Sequence, residues 1–101
     1  MATVYLTYSA GETVRPGKAG VILKGSYARS EAVTSSGTSA AGSLEAKNGE
    51  TVVKVASPDQ TIAVTAGTSP TATLAAGIVI PAGGFEYVSV EPGESIAVID
   101  L

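Results

Sequence analysis

The sequence predicts an all-β protein, a single small antiparallel β-sandwich or jelly-roll-like barrel of about seven or eight short strands. Short segments in which apolar and polar residues alternate recur roughly every ten residues, and Gly, Pro, Asn and Asp separate them. No long segment keeps the apolar period of about 3.6 residues that marks an amphipathic helix. At 101 residues the chain has the size of one domain, so we expect residues 1–101 to share one core.

The first predicted strand covers residues 1–9 and is an N-terminal strand or arm. Within it Val4, Leu6 and Tyr8 point to one side, and the residues between them point to the other. Because it starts the chain, we expect this strand to be a sheet edge or an arm exchanged with another copy. The alternative is an ordinary terminal strand that closes its own sheet.

The next two strands are less regular. A turn at Pro16-Gly17 leads into a strand predicted from Val21 to Tyr27, in which Gly25 marks a bulge or a bend. Residues 30–34 are predicted to form a further strand.

The middle of the chain predicts a loop followed by a tight turn. Residues 35–43 are rich in Ser, Thr, Ala and Gly, a composition typical of a flexible loop. Residues 44–47 form either one helical turn or a continuation of that loop. Asn48-Gly49 is a strong signal for a hairpin turn.

The second half alternates strands and turns. The predicted strands are Thr51–Ala56, Thr61–Ala66, Thr73–Ile80 with a break near Gly77, Phe85–Val90 and Ser95–Ile99. The predicted turns between them are residues 57–60, 67–70, 81–84 and 91–94. Alternation places Ile62 and Val64 toward the core.

The composition argues against several function classes. The chain has no Cys and no His, so it offers no disulfide, no thiolate metal site and no imidazole acid or base. The formal net charge of −3 argues against a nucleic-acid partner. No apolar run is long enough to span a membrane, and no basic region followed by an apolar stretch indicates a secretory signal. We therefore predict no catalytic residue, no cofactor and no metal.

Two carboxylates come nearest to a catalytic or metal-binding pair. Glu91 and Glu94 flank Pro92-Gly93 and have the spacing of an acid pair or a hard-cation site. A charged, exposed turn explains the same residues, and we favour that interpretation. Likewise, Gly83-Gly84 lies outside any phosphate-binding motif.

The aromatic residues allow two interpretations. Tyr5 and Tyr87, if they point outward, suit a protein interface, since Tyr offers a broad contact area at low entropic cost. A carbohydrate-binding platform is the alternative. Tyr8 and Phe85 are predicted to lie in the core or at its rim.

Residues 51–99 carry a series of motifs that resemble a known family. The motifs are Val52-Val53-Lys54-Val55-Ala56, Val64 to Gly67, Thr68-Ser69-Pro70-Thr71-Ala72-Thr73, Ile80-Pro81-Ala82-Gly83 and Glu86-Tyr87-Val88-Ser89-Val90-Glu91-Pro92-Gly93-Glu94-Ser95-Ile96-Ala97-Val98-Ile99. In this order they resemble the small β-sandwich structural proteins of tailed bacteriophages, many of which are capsid decoration (cement) proteins. In that pattern the last motif forms a hairpin.

The resemblance implies a non-enzymatic virion protein that binds and stabilises the assembled capsid. It implies the major capsid protein as partner, a location on the capsid surface after synthesis in the host cytoplasm, and a homotrimer. A collar, tail or fibre-associated component is the alternative within the virion. A carbohydrate-binding module is a further alternative.

The residues themselves also predict self-association. Val21 or Ile22, Val79, Tyr87 and Ile99 provide more apolar surface than one two-sheet core requires. The predicted partner interface consists of Val4, Tyr5, Leu6, Tyr87 and Ile99.

Overall fold

The computed structural model describes residues 2–15, 18–23, 29–73 and 77–101. This part of the chain contains ten β-strands and no helix, and so no helix that is long and apolar enough to cross a membrane. The strands are β1 (Ala2–Ser9), β2 (Gly11–Arg15), β3 (Lys18–Leu23), β4 (Arg29–Ser35), β5 (Ala40–Ala41), β6 (Val52–Ser57), β7 (Ile62–Gly67), β8 (Ile78–Ile80), β9 (Gly84–Ser89) and β10 (Ser95–Asp100).

Eight of the strands form two four-stranded sheets. Sheet 1 has the order β4-β1-β6-β9, and sheet 2 has the order β5-β10-β7-β8. Strands β2 and β3 form a separate two-stranded hairpin. All of these pairings are antiparallel. The predicted all-β sandwich is confirmed.

The chain passes back and forth between the two sheets. From β4 to β10, every connection except β7–β8 crosses from one sheet to the other, an alternation typical of double-sheet jelly rolls. The turn at residues 91–94 is present, with the Glu94 N–H donating to the Glu91 carbonyl over 3.0 Å. It joins β9 of sheet 1 to β10 of sheet 2, so the predicted hairpin at this turn is wrong: the two strands do not pair.

The core lies between the sheets and is built mainly from β-branched side chains. Alternation along β1 directs Val4, Leu6 and Tyr8 into it, and all three are fully buried. From sheet 2, Ile62 and Val64 enter the same cluster, as predicted. The remaining members are Val33, Ala46, Val53, Val55, Ile80, Val88, Val90, Ile96 and Val98.

Strand β1 is an interior strand, which corrects the predicted edge strand or exchanged arm. It pairs with β4 from Ala2 to Tyr8 and with β6 from Tyr5 to Ser9. The alternative, a terminal strand that closes its own sheet, is the observed one.

The middle segment departs from the prediction in one place, the predicted loop, and settles the alternatives left open for residues 44–47 in favour of the loop. Residues 35–43 carry β5, because the Gly42 N–H donates to the Ile96 carbonyl and the Asp100 N–H donates to the Ser36 carbonyl. Residues 44–47 form no helical turn.

Asn48-Gly49 forms a tight turn, in which the Glu50 N–H donates to the Lys47 carbonyl over 3.0 Å and Gly49 has a φ of 90°. The residues before it are not in a strand, so the turn is confirmed and the hairpin is not.

Three earlier predictions fall outside the described residues: the turn at Pro16-Gly17, the bend at Gly25 and the strand end at Tyr27. The strand that contains Val21 begins at Lys18, three residues before its predicted start.

Two carboxylates fasten the 42–50 segment to sheet 1. The Arg29 guanidinium makes a bidentate ion pair with Glu50, at 2.6 and 2.9 Å, and it also donates to the Glu45 carbonyl. The Glu31 carboxylate accepts hydrogen bonds from the Ser43 and Leu44 amides, each at 3.1 Å. These contacts hold an irregular segment against the end of the core.

Tyr8 also helps to hold the 42–50 segment against the core. The centroid of its ring lies 5.5 Å from the Arg29 guanidinium carbon, which is placed over the ring. Its hydroxyl donates to the Leu44 carbonyl over 3.1 Å. Burial raises the pKa of Tyr8 to about 12. The phenol therefore stays neutral at physiological pH and serves as a structural donor.

The ion pair predicts an acid-dependent loss of stability. The hydrogen bond from Arg29 lowers the pKa of Glu50 in the folded state. A lowered carboxylate pKa stabilises the fold above the unfolded-state pKa and loses that contribution as the pH falls through the folded-state pKa. We expect Glu50→Gln to lower the free energy of unfolding at pH 7 by about 1.5–3 kcal/mol. The difference between the two proteins should shrink as the pH falls below the unfolded-state pKa and through the lowered folded-state pKa of Glu50, as denaturant titrations at several acidic pH values would show. A difference that does not vary with pH would contradict this role of Glu50.

The break in the predicted strand Thr73–Ile80 occurs at Gly77, which has a φ of 104°. A Cβ atom at this position would lie 2.4 Å from the Val64 carbonyl oxygen. Both the backbone conformation and the close approach therefore require glycine, and β8 begins at the next residue, Ile78. Residues 74–76 of the predicted strand lie outside the described residues.

Gly77→Ala is therefore expected to lower the free energy of unfolding by about 1–3 kcal/mol. Gly37→Ala is the matched control, since no atom lies within 4 Å of a Cβ there. Its effect should stay below about 1 kcal/mol. Equal effects of the two substitutions in thermal unfolding would contradict the assignment.

Candidate protein-binding face

The outer face of sheet 1 is almost free of charge. Strand alternation directs eleven exposed or half-buried side chains to it: Thr3, Tyr5, Thr7, Ser30, Ala32, Thr34, Lys54, Ala56, Phe85, Tyr87 and Ser89. Lys54 is the one charged residue among these positions.

Three aromatic rings and this lysine form a cluster on that face, which we call the aromatic face (Tyr5, Lys54, Phe85 and Tyr87). The Phe85 and Tyr87 rings meet edge to face, with centroids 5.6 Å apart and an interplanar angle of 78°. The Lys54 Nζ lies 4.5 Å from the Phe85 ring centroid. Strand register brings Tyr5 into the cluster, since both Tyr5 and Phe85 pair with Ala56.

The rings are exposed because their neighbours are buried. On β9 the buried residue is Val88, which sends Phe85 and Tyr87 to the opposite face. On β1 the burial of Val4 and Leu6 does the same for Tyr5. The exposed fractions are 49% for Tyr5, 50% for Phe85 and 36% for Tyr87.

The outer face of sheet 2 differs, because the chain itself covers its centre, although Val79 on the edge strand β8 stays 58% exposed. Ala72, in the connection between β7 and β8, is buried against Ala63, Ala97 and Ile99. The Ala72 N–H donates to the Ser39 hydroxyl over 2.8 Å, which fastens the connection across the sheet. Of the two outer faces, only that of sheet 1 is left with a cluster of uncovered aromatic rings.

The structure separates the five predicted interface residues. Tyr5 and Tyr87 lie exposed on the aromatic face. Val4 and Leu6 lie in the core, and Ile99 is only 8% exposed beneath Ala72. These three cannot contact a partner while the sandwich is folded, so their assignment to the interface is corrected.

Phe85 and Lys54 were missed as site residues. Phe85 was predicted to lie in the core or at its rim, yet it has the same strand parity as Tyr87. That parity was the available signal in the sequence. The contact of Lys54 with the Phe85 ring could be predicted only once the pairing of β6 with β9 was known.

The apolar residues that were predicted to lie outside the core, and so to favour self-association, are only partly exposed in the structure. Val79 and Tyr87 are exposed, whereas Ile99 is buried. The side chains of Val21 and Ile22 lie outside the described residues.

The two glutamates of the 91–94 turn act within the turn. The Glu94 carboxylate accepts a hydrogen bond from the Glu91 N–H at 2.8 Å, so this side chain stabilises the turn in which it lies. In the described ranges, no group of three or more His, Cys, Asp or Glu residues is placed to hold a metal ion.

Comparison with known proteins adds no relative: no family model, curated protein or solved structure matches the chain. The face must therefore be interpreted from its own chemistry. A β-sheet surface with aromatic rings and a single cation offers broad apolar contact with little charge to desolvate, as the centres of protein interfaces do.

If the aromatic face is a binding surface rather than part of the core, the protein should tolerate its loss. We expect Tyr5→Thr/Tyr87→Thr to change the free energy of unfolding by less than about 1 kcal/mol, because both rings are exposed. Leu6→Ala, one position along β1, should cost about 2–5 kcal/mol. Chemical denaturation of the three proteins measures both values. A comparable loss in the double variant would make the aromatic face a structural element.

Proposed function

We propose that this protein is a non-enzymatic structural component of a phage virion that binds the assembled capsid and stabilises it as a decoration protein. Its partner in this proposal is the major capsid protein, and it acts at the capsid surface after synthesis in the host cytoplasm. The observation that carries the proposal is the asymmetry of the sandwich: one outer face is covered at its centre by the chain and the other displays exposed aromatic rings. The choice of the major capsid protein as partner comes from the resemblance of residues 51–99 to the structural proteins of tailed bacteriophages.

Stabilisation of the capsid follows from the coupling between binding of this protein and assembly of the shell. A protein that binds the assembled shell more tightly than free capsid subunits shifts the equilibrium toward the shell. Each contact can be modest, because many copies on one lattice add their effects. A homotrimer belongs to the proposal, because the resemblance of residues 51–99 implies one.

Two other functions have specific support. The same motifs of residues 51–99 fit a collar, tail or fibre-associated component. The exposed rings of Tyr5, Phe85 and Tyr87 favour a carbohydrate-binding module, since sugars stack on aromatic faces.

The test is binding to purified capsids that lack the protein. We expect the wild-type chain to co-sediment with them and to raise their thermal disruption temperature. Tyr5→Thr/Tyr87→Thr should bind at least tenfold more weakly, because exposed Tyr residues supply much of the energy of such contacts.

The matched control is Thr51→Ala/Thr68→Ala, which alters two exposed residues outside the aromatic face and should bind as the wild type does. No binding to capsids by the wild type would contradict the decoration role. Binding to a glycan array that the tyrosine variant loses would favour the carbohydrate function.

A further inference from the structure

Sheet 1 has two long edges, whereas sheet 2 has two short ones. Strand β4 has seven residues and β9 has six. The edges of sheet 2, β5 and β8, have two and three residues. Short edges resist strand addition, and long edges act as templates for it. In the described part of the chain β4 pairs only with β1, and β9 pairs only with β6.

The ladder geometry identifies the backbone groups at the β9 edge. The Val90 N–H donates to the Thr51 carbonyl over 3.0 Å, and these residues continue the register that pairs Val52 with Ser89. Backbone groups alternate in direction along an antiparallel ladder. The N–H and C=O groups of Glu86 and Val88 therefore face β6, and those of Phe85, Tyr87 and Ser89 face the free edge.

The same alternation carries across the sheet to β4. Lys54 and Ala56 direct their backbone groups to β1, so Val4 and Leu6 direct theirs to β4. The partners of Val4 and Leu6 on β4 are Val33 and Glu31. The backbone groups left at the β4 edge are those of Ser30, Ala32 and Thr34, whose side chains are exposed.

The two edges are complementary in direction and in size. Strands β4 and β9 are separated by three antiparallel steps, so they run in opposite directions. A second copy can therefore lay its β4 along β9 and continue a fully antiparallel sheet. On the outer face the β9 edge is bulky, with Phe85 and Tyr87, whereas the β4 edge is small, with Ala32 at its centre.

We infer that β9 of one copy pairs with β4 of a second copy of this chain. Phe85 then lies opposite Thr34 of the second copy, Tyr87 opposite Ala32, and Ser89 opposite Ser30. In this register all six residues of β9 pair within β4, whereas a shift of two residues in either direction takes the end of β9 past the end of β4. Charge disfavours one of these shifts further. A shift of two residues would place Glu86 opposite Glu31, and like charges directly opposite each other destabilise a sheet. In the assigned register Glu86 lies opposite Val33.

Each copy uses both edges, so every molecule makes this contact twice. One strand pair buries less than the roughly 800 Å² per partner of a standard interface, so the assembly depends on each molecule making two such contacts. A head-to-tail contact either closes into a ring or grows into a filament. The closed ring of three is the form that the proposed function requires, and only this copy number rests on that proposal. A continued sheet keeps the aromatic faces on the same side.

Cysteine crosslinking tests the pairing, since the chain has no Cys of its own. The test variant is Ala32→Cys/Tyr87→Cys. Directly opposite, hydrogen-bonded residues have Cα atoms about 5.5 Å apart, which a disulfide spans. Within one chain the two positions are three strand spacings apart, about 14 Å. Oxidation should therefore convert most of this variant into covalent trimers on non-reducing gels.

Two kinds of control decide the outcome. Ala32→Cys and Tyr87→Cys as single variants should stay uncrosslinked, as should Ala32→Cys/Lys54→Cys, because β6 is an interior strand. A crosslink in Tyr87→Cys alone would indicate β9–β9 pairing about a two-fold axis and would overturn the inference. An uncrosslinked double variant would overturn it as well. Capsid binding is measured on a second crosslinked pair, Ser30→Cys/Ser89→Cys, which leaves the aromatic face intact. Crosslinked trimers of this variant that fail to bind capsids would retain the interface and contradict only the proposed function.

Discussion

The alternation of inward and outward side chains along β1 is the constraint on which the rest of the structure depends. It places Val4, Leu6 and Tyr8 in the core, where all three are fully buried, while β1 pairs with β4 on one side and β6 on the other. The same alternation directs Tyr5 to the outer face, where it shares one row across the sheet with Ala56 and Phe85. The core and the candidate binding face are thus two consequences of one alternation. The Arg29–Glu50 pair and the Tyr8 hydroxyl then hold the irregular 42–50 segment over the end of that core.

The fold class and most turns could be predicted because they are local. Alternation identifies a strand within a few residues, and Gly or Pro marks a turn through its own backbone preferences. Gly77 and Asn48-Gly49 were found in this way. Strand partners were not predictable, since they depend on contacts distant in the sequence. That is why β1 was expected at an edge and the turn at residues 91–94 was expected to be a hairpin.

The candidate site shows the same division between local and distant information. Tyr5 and Tyr87 could be predicted as outward-facing aromatic residues from parity alone. Val4 and Leu6 were placed in the interface only because β1 was expected to be an edge strand. Ile99 has outward parity, but its cover is Ala72, which comes from the long connection between β7 and β8. No local pattern reports that a distant segment covers a sheet face.

The central claim is that the chain occupies the capsid lattice through the aromatic face of sheet 1. Its most direct test is the copy number of the protein in purified virions, measured by quantitative mass spectrometry relative to the major capsid protein. The account predicts a ratio near one to one or a simple fraction of it. A few to a few dozen copies would move the protein to the portal, collar or tail. Complete absence would contradict the virion function and favour the carbohydrate-binding module.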